Sequence, residues 1–448
     1  MTPTPLMTDG APETAAPAKP GGGPVRTSPA LAVLRIESLR GTAPWTFAIC
    51  LATLLIAVFG GRDPYQADWP AMAQHAHALQ ILLGPLVAGA ACWEAGRERR
   101  RHTAEWARAT PRPTLHRLTA GLFPVWLAAV AAYLVTWAVL TALTWPNASA
   151  YGHPLLGPVL VDLAAVAAFA AGGHLLGRYV PWWPVAPLAA LSGYAALVLW
   201  NVPASSGLAQ LIPAAFDIRE GSEPALWASA AHTAWFAGLA AAMLLAAGAR
   251  RKWLAALPLA VAVAGAVPLV QQPGAVWVYD RAAAEFVCEG ERPQICMRRA
   301  HEGMRERVAD PVRWAYGLTA GAPGAPARFE ERAPAPGGRS AAGPDAVEVR
   351  IVHRGDLGSD RRLDYFQRDA VLQSLLAWDC RSERIRPEWS HEVLLWAHGQ
   401  WPGAMDDRLL DTPVVKALDT MSRAERAAWF ADWFAAARAC DPDRVTRP

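Results

Sequence analysis

Charge is almost missing from the first half of this sequence. Between Thr42 and Gln271 it is nearly confined to short gaps separating apolar runs, and from Gln272 onward it is dense and mixed in sign. The formal net charge of +3 is too small to suggest a nucleic-acid partner, and no basic patch interleaves with aromatics. There is no GxxxxGK[ST] loop, so nucleotide is not hydrolysed by this chain in the Walker manner. A GxSxG nucleophile elbow is also absent, and so is any CxxC pair of the kind that holds zinc. No basic start leads into an apolar h-region, so the first apolar run is expected to serve as an uncleaved targeting signal. These absences leave a membrane half followed by a more polar half, and no cofactor is expected.

What is present begins with Trp93–Leu118. Seven arginines fall in it (Arg97, Arg99, Arg100, Arg101, Arg108, Arg112 and Arg117), against Glu94, Glu98 and Glu105. Apolar runs lie on both sides. Short loops rich in Arg and Lys stay in the cytoplasm, which fixes a side for every other segment. Seven spans are expected, each near the ~17–25 residues that cross the hydrocarbon layer. They are Ala43–Gly60, His77–Gly96, Thr119–Thr144, Leu156–Leu176, Trp183–Trp200, Trp227–Ala249 and Trp253–Val270. The fifth is among the shortest and carries Pro184 and Pro187 in its first turn. The expected inside segments also hold Arg35, Arg40, Arg178 and the Arg250-Arg251-Lys252 triplet, whereas the outside loops between spans hold only Arg62 and Arg219. Tryptophans such as Trp45, Trp93, Trp145, Trp183 and Trp253 mark the expected headgroup boundaries. Residues 1–30 are too poor in large apolar side chains to offset their ordering entropy and read as a disordered cytoplasmic tail. Leu31–Arg40 reads either as an interfacial amphipathic helix or as a plain lead-in to the first span.

An odd number of spans with the N-terminus inside puts residues 272–448 outside. Cysteine usage agrees. Cys50 and Cys92 fall within spans, where a thiol is a small apolar group, while Cys288, Cys296, Cys380 and Cys440 fall in the polar part. An even number in an oxidising compartment implies disulfides, and of three pairings Cys288–Cys296 with Cys380–Cys440 is favoured. The outer domain reads as mostly helical α+β. Strands are expected near Ala275–Tyr279 and Ala346–His353, and helices over Cys296–Val308, Asp364–Asp379, Pro387–Gln400 and Ser422–Cys440. Thr319–Pro344 is Gly-, Ala- and Pro-rich and reads as a linker or long loop. The fold class is thus a polytopic all-α membrane domain, residues 31–271, carrying a helical α+β extracytoplasmic domain.

Few residues carry chemistry. His391-Glu392 with His398 lacks the four-residue histidine spacing of a zinc-protease helix. His75 and His77 read as a solvated helix end rather than a metal pair. Asn147-Ala-Ser149 fits a glycosylation acceptor, a pattern that recurs by chance. Asp162 is different: a carboxylate inside a span is costly unless it faces a cavity or partner, or sits near enough to the headgroups to stay wet. His174 and His232 read as packing or interfacial residues. Asn201–Leu226 reads either as a surface loop or as a short helix packed against the outer face.

This layout resembles the permease subunits of type-2 ABC exporters. The likeness rests on an interfacial segment at Leu31–Arg40, the cytoplasmic stretch EAGRERRRHTAEWARATPRP between the second and third spans, and an outer loop at Asn201–Leu226. In that family the second-to-third-span loop has an acidic-basic start, a short helix and a Pro-containing re-entry. Glu94, Arg97, Glu98, Arg99, Arg100, Arg101, Trp106 and Pro111 stand at the matching positions. The resemblance implies a separate ATPase subunit as partner, membrane lipids around the spans, and a homo- or heterodimer. A seventh span and the outer domain depart from the six-span pattern. The alternative is a non-transport sensor or scaffold whose outer domain binds a ligand; a membrane-bound enzyme lacks a catalytic set.

Overall fold

Helix α1 (Ala43–Gly60) shows how the bundle is built. Ala43, Thr46, Cys50, Leu54 and Val58 recur at helical spacing and are buried. On its other face Trp45, Ile49, Ile56 and Phe59 are exposed. A helix apolar all round, with only one stripe packed on protein, has its other face toward lipid. The computed structural model describes residues 41–60, 65–101, 113–199, 206–213, 221–332, 346–352, 360–378, 380, 386–401 and 411–448. The tail, the Leu31–Arg40 segment, Trp106 and Pro111 lie outside the described residues.

Among the described residues six helices are long and apolar enough to cross a membrane. After α1 comes a pair, α2 (Trp69–Ala78) and α3 (Gln80–Ala95), running as one span with a local break at Leu79. It starts eight residues before the expected His77. Asp68 caps α2 and Pro70 sits in its first turn, the residue types that open helices. Then follow α4 (Thr114–Ala148), α5 (Leu156–Tyr179), α7 (Leu226–Gly248) and α8 (Ala256–Gln271), the last entered through a 3₁₀ turn at Lys252–Ala255. Between α5 and α7, α6 (Val185–Leu199) is apolar but only 15 residues long, about 22 Å. It packs antiparallel on α3, with Gly89 against Ala186 and Ala190, and Gly193 against Pro85. The chain therefore passes from the end of the bundle holding Arg178 to the end holding Gly207, beside Val270. Gly173 and Gly177 let α5 lie directly on the α3 backbone at Ala88 and Cys92, the close approach that small residues permit between spans.

The two ends of the bundle differ. At one, Thr42 donates to Glu94 and Arg97 pairs with Glu94. At the opposite end lie Asp68, Asn147 and Tyr151, which carry the C-terminal domain. Strand β1 (Ser222–Pro224), in the loop before α7, pairs antiparallel with β2 (Trp277–Tyr279) just after α8. That small sheet ties the domain to the bundle.

The C-terminal domain has a four-stranded mixed sheet, β3 (Phe286–Glu289), β4 (Gln294–Arg298), β5 (Arg328–Glu331) and β6 (Ala346–Val349), in that order. β3 and β4 are antiparallel, with Cys288 opposite Cys296; β4, β5 and β6 are parallel. Around it lie α9 (Arg305–Leu318), α10 (Asp360–Leu375), α11 (Ser390–Gly399), α12 (Pro413–Thr420) and α13 (Arg423–Ala439). The core gathers Phe329, Met297, Val312, Trp396, Phe430 and Trp433. Ser422 and Glu425 form a capping box at the start of α13. Both disulfides have the favoured pairing, Cys288–Cys296 and Cys380–Cys440. A disulfide-bearing domain fits an extracytoplasmic location.

Three expectations need correction. Cys296 lies in a strand, not a helix: its neighbours Ile295 and Met297 face the core, Cys296 bonds Cys288 on the adjacent strand, and its backbone is flanked by strands on both sides. Helix α9 begins only at Arg305 and runs through Pro311 to Leu318; Pro311 is buried, and the packing of this face outweighs the lost hydrogen bond. The Thr319–Pro344 segment contains β5, a short strand whose alternation, Phe329 and Glu331 inward, is hidden by its Gly/Pro surroundings.

Candidate functional site

Asp162 is the residue around which the membrane domain is arranged. It lies in the second turn of α5 and is fully buried. Two donors from other spans meet it. His77 of α2 places Nδ1 2.6 Å from one carboxylate oxygen. Tyr133 of α4 donates its hydroxyl to the other. A carboxylate held by two hydrogen bonds in the bundle meets the condition under which an intramembrane charge is tolerated. The reading of Asp162 as merely wet near the headgroups is therefore replaced by a three-span polar centre. His77 is likewise not a solvated helix end.

With Nδ1 committed to Asp162, the His77 ring faces a cleft between the bundle and the first residues of the C-terminal domain. The cleft encloses about 640 Å³ of empty space, open solvent included. Its wall is apolar, from Ala73, Pro158, Val161, Ala228 and Val276, with Trp277 at the rim. Gln74 lines it too, and its Nε2 is buried with no hydrogen-bond partner. His232 completes the polar set, its Nδ1 2.9 Å from the Ala228 carbonyl and its Nε2 2.9 Å from that of Gln210. His232 thereby anchors the 3₁₀ turn at Gly207–Leu211 to α7, so the described part of the Asn201–Leu226 segment is a short helix packed on the bundle. His174 is buried against Gly121, a packing role.

A second cluster joins the two domains. Asp68 uses one oxygen to cap α2 through Ala71 N, at 2.7 Å, and the other to meet His301 Nε2 at 3.4 Å. His301 Nδ1 lies 2.6 Å from Glu331, which also takes the Arg298 backbone N–H and guanidinium. His301, Glu331 and Arg298 are each under a tenth exposed. Burial opposes a charged imidazole here, but the Asp68 and Glu331 carboxylates outweigh it and lift the His301 pKa to about 9. Burial likewise works against the Glu331 carboxylate, and His301 and Arg298 overcome it, holding its pKa below the ordinary 4.5. Asp68 is lowered by the same balance, with His301 as chief partner. Beside this cluster Arg307 reaches Asn147 at 3.4 Å, and Asn147 donates to the Gln66 carbonyl at 3.0 Å. Asn147 is buried in that contact, which removes it as a glycosylation acceptor.

At the opposite end the described part of the arginine-rich segment is fastened down. Arg97–Arg100 forms one helical turn after Gly96. Arg99 donates to the carbonyls of Gly177, Arg178 and Val180, closing the C-terminus of α5. Arg100 bonds the Trp93 carbonyl and stacks over the Trp93 ring at 3.8 Å. Arg97 pairs with Glu94 at 3.0 Å. Glu98 also has a partner, and Arg101 ends the turn exposed. In the C-terminal domain His391 bonds the Glu388 carbonyl while His398 bonds Asp369, so the two histidines share no site. Among the described residues no group of three His, Cys, Asp or Glu is arranged to hold a metal.

Sequence reasoning singled out Asp162 but missed His77 and Tyr133 as its partners, and missed His301, Glu331 and Asp68 altogether. His77 is 85 positions from Asp162 and His301 is 233 from Asp68, separations no local pattern bridges. The only usable signals were a histidine and a carboxylate standing in otherwise apolar runs. Comparison with known proteins finds no family, no curated protein and no solved structure that matches this chain.

Proposed function

We propose that this multi-span membrane protein is the permease-like subunit of an ATP-driven transporter, with ATP hydrolysed by a separate subunit on the arginine-rich side. One observation carries the reading. Arg99 grips the last carbonyls of α5, and the same helix holds Asp162 sixteen residues earlier, about 24 Å along its axis. A rigid helix clamped at one end by the basic segment and bearing the polar centre at the other is a lever between an inner partner and an outer cleft. A subunit without its own nucleotide site needs such a lever.

The test is co-purification of an ATPase subunit from native membranes. We expect capture with the wild-type chain and loss on charge reversal at Arg99–Arg101, with the chain still inserted. Absence of any ATPase partner, together with undiminished flux in vesicles, overturns the reading. A second reading, a sensor without transport, is favoured by one contact. His301 of the outer domain touches Asp68, the cap of the very span that leads into the basic segment. It predicts a ligand for the outer domain and no ATPase-dependent flux.

A further inference from the structure

We infer that the cleft in front of His77 binds a protonated amine with an apolar body, and takes it up in exchange for a proton. The inference deepens the proposed function by naming a substrate class, and only the word substrate rests on that reading.

Among the described residues, no Lys, Arg, Asp or Glu lines the cleft itself. Its polarity comes from Gln74, Gln210, Ser229 and the two histidines, and among the described residues the charge nearest His77 is Asp162, directly behind it. The titratable groups that face His77 are Asp162 on α5, Tyr133 on α4 and, across the cleft, His232 on α7. His232 has carbonyl neighbours on both nitrogens, so it offers the cleft no free lone pair. With His77 neutral, Asp162 is the formal charge nearest the cleft among the described residues, and the centre then favours a cation.

The hydrogen-bond directions then narrow the ligand. Asp162 accepts from Tyr133 and from His77 Nδ1–H. That fixes His77 Nε2 as the atom offered to the cleft. With a second proton on Nε2, the His77–Asp162 pair is electroneutral, the arrangement a low-dielectric interior favours. A ligand that replaces this proton must bring one positive charge and an N–H donor. An alkyl- or arylammonium group does both: its N–H donates to Nε2, the displaced proton leaves to solvent, and the pair remains neutral. Charge balances as one ammonium in and one proton out. The walls of Pro158, Val161, Ala228 and Val276 suit an apolar body, and the Trp277 ring adds a face that attracts cations. A quaternary ammonium has the charge but not the donor, and a carboxylate has neither.

The test uses the full-length chain in lipid nanodiscs and a matched set of probes: phenethylamine, phenethyltrimethylammonium, 2-phenylethanol and 3-phenylpropionate. Titration calorimetry in two buffers of different ionisation heat measures affinity and counts protons. We expect phenethylamine to bind tightest, releasing close to one proton per amine, with 3-phenylpropionate at least about tenfold weaker. Asp162→Asn and His77→Gln should each weaken phenethylamine by about tenfold or more, and His77→Gln should abolish the proton release. Equal binding of 3-phenylpropionate, no binding of phenethylamine, or binding without proton release overturns the inference. The comparison of probes on the wild-type chain needs no variant, so a variant that fails to fold does not shield it. Equilibrium binding requires no ATPase, so its failure leaves the proposed function standing, and loss of the ATPase partner leaves the amine site standing.

Discussion

Replacing His301 with glutamine removes the charge that holds the C-terminal domain on the bundle while keeping a hydrogen-bonding side chain of similar reach. The rise of the His301 pKa from 6.5 to about 9 corresponds to about 3 kcal/mol of favourable coupling between its proton and the folded, docked state. Because the folded pKa is raised, this contribution is complete below 6.5, declines as pH climbs, and is gone above about 9. At pH 7 roughly three-quarters of it remains. The carboxylates bound the other side. Asp68 and Glu331 are both lowered, so their contributions are present above the ordinary 3.8 and 4.5 and are lost as pH falls below those values. Stability should therefore plateau between about 4.5 and 6.5 and fall on either side. For a domain of this size the alkaline loss amounts to roughly 5–10 °C in the thermal midpoint. Thermal unfolding of the purified full chain from pH 5 to 10, followed by near-UV circular dichroism, reads it. The wild type should lose midpoint steadily from pH 6.5 to 9, and His301→Gln should start lower and stay flat across that interval. Parallel curves for the two proteins would refute the reasoning.

Other consequences follow from single contacts. Gly303→Ala drives a methyl group into the Asn147 carbonyl, so docking of the outer domain should weaken by ~1–3 kcal/mol, seen as faster hydrogen exchange across Arg299–Met304. Cys380→Ser with Cys440→Ser removes a cross-link across a separation of 60 residues and should cost the domain roughly 3–5 kcal/mol, read from its denaturant midpoint. Arg99→Ala strips the donors from the Gly177, Arg178 and Val180 carbonyls, and hydrogen exchange should rise in the last turn of α5 while the Asp162 region stays protected.

Most of the membrane half was legible because its signals are local. Apolar length marks Ala43–Gly60 and Leu226–Gly248. Where reading fell short, the signal was present but weak: Asp68 with Pro70 announces an earlier start for the second span, and Thr412 with Pro413 announces α12, a helix that was not expected. The short strand β5 was hidden because parallel pairing is decided by partners far along the chain, here β4 and β6. The polar centre divides the same way. Asp162 stood out by itself as a charge in an apolar run, but that His77 and Tyr133 meet it depends on how three helices pack. The His301 cluster is harder still, since its members lie in a turn, a strand and a helix cap.

Sidedness tests the proposed transporter most directly, since the lever and the cleft both depend on which end faces the cytoplasm. Cysteines introduced at Arg101 and at Gly321, one at a time in intact cells, can be probed with a membrane-impermeant maleimide. Both positions are exposed and lie at opposite ends of the molecule. The prediction is labelling at position 321 and none at 101 until the cells are permeabilised. Labelling at 101 in intact cells, with 321 protected, would contradict it.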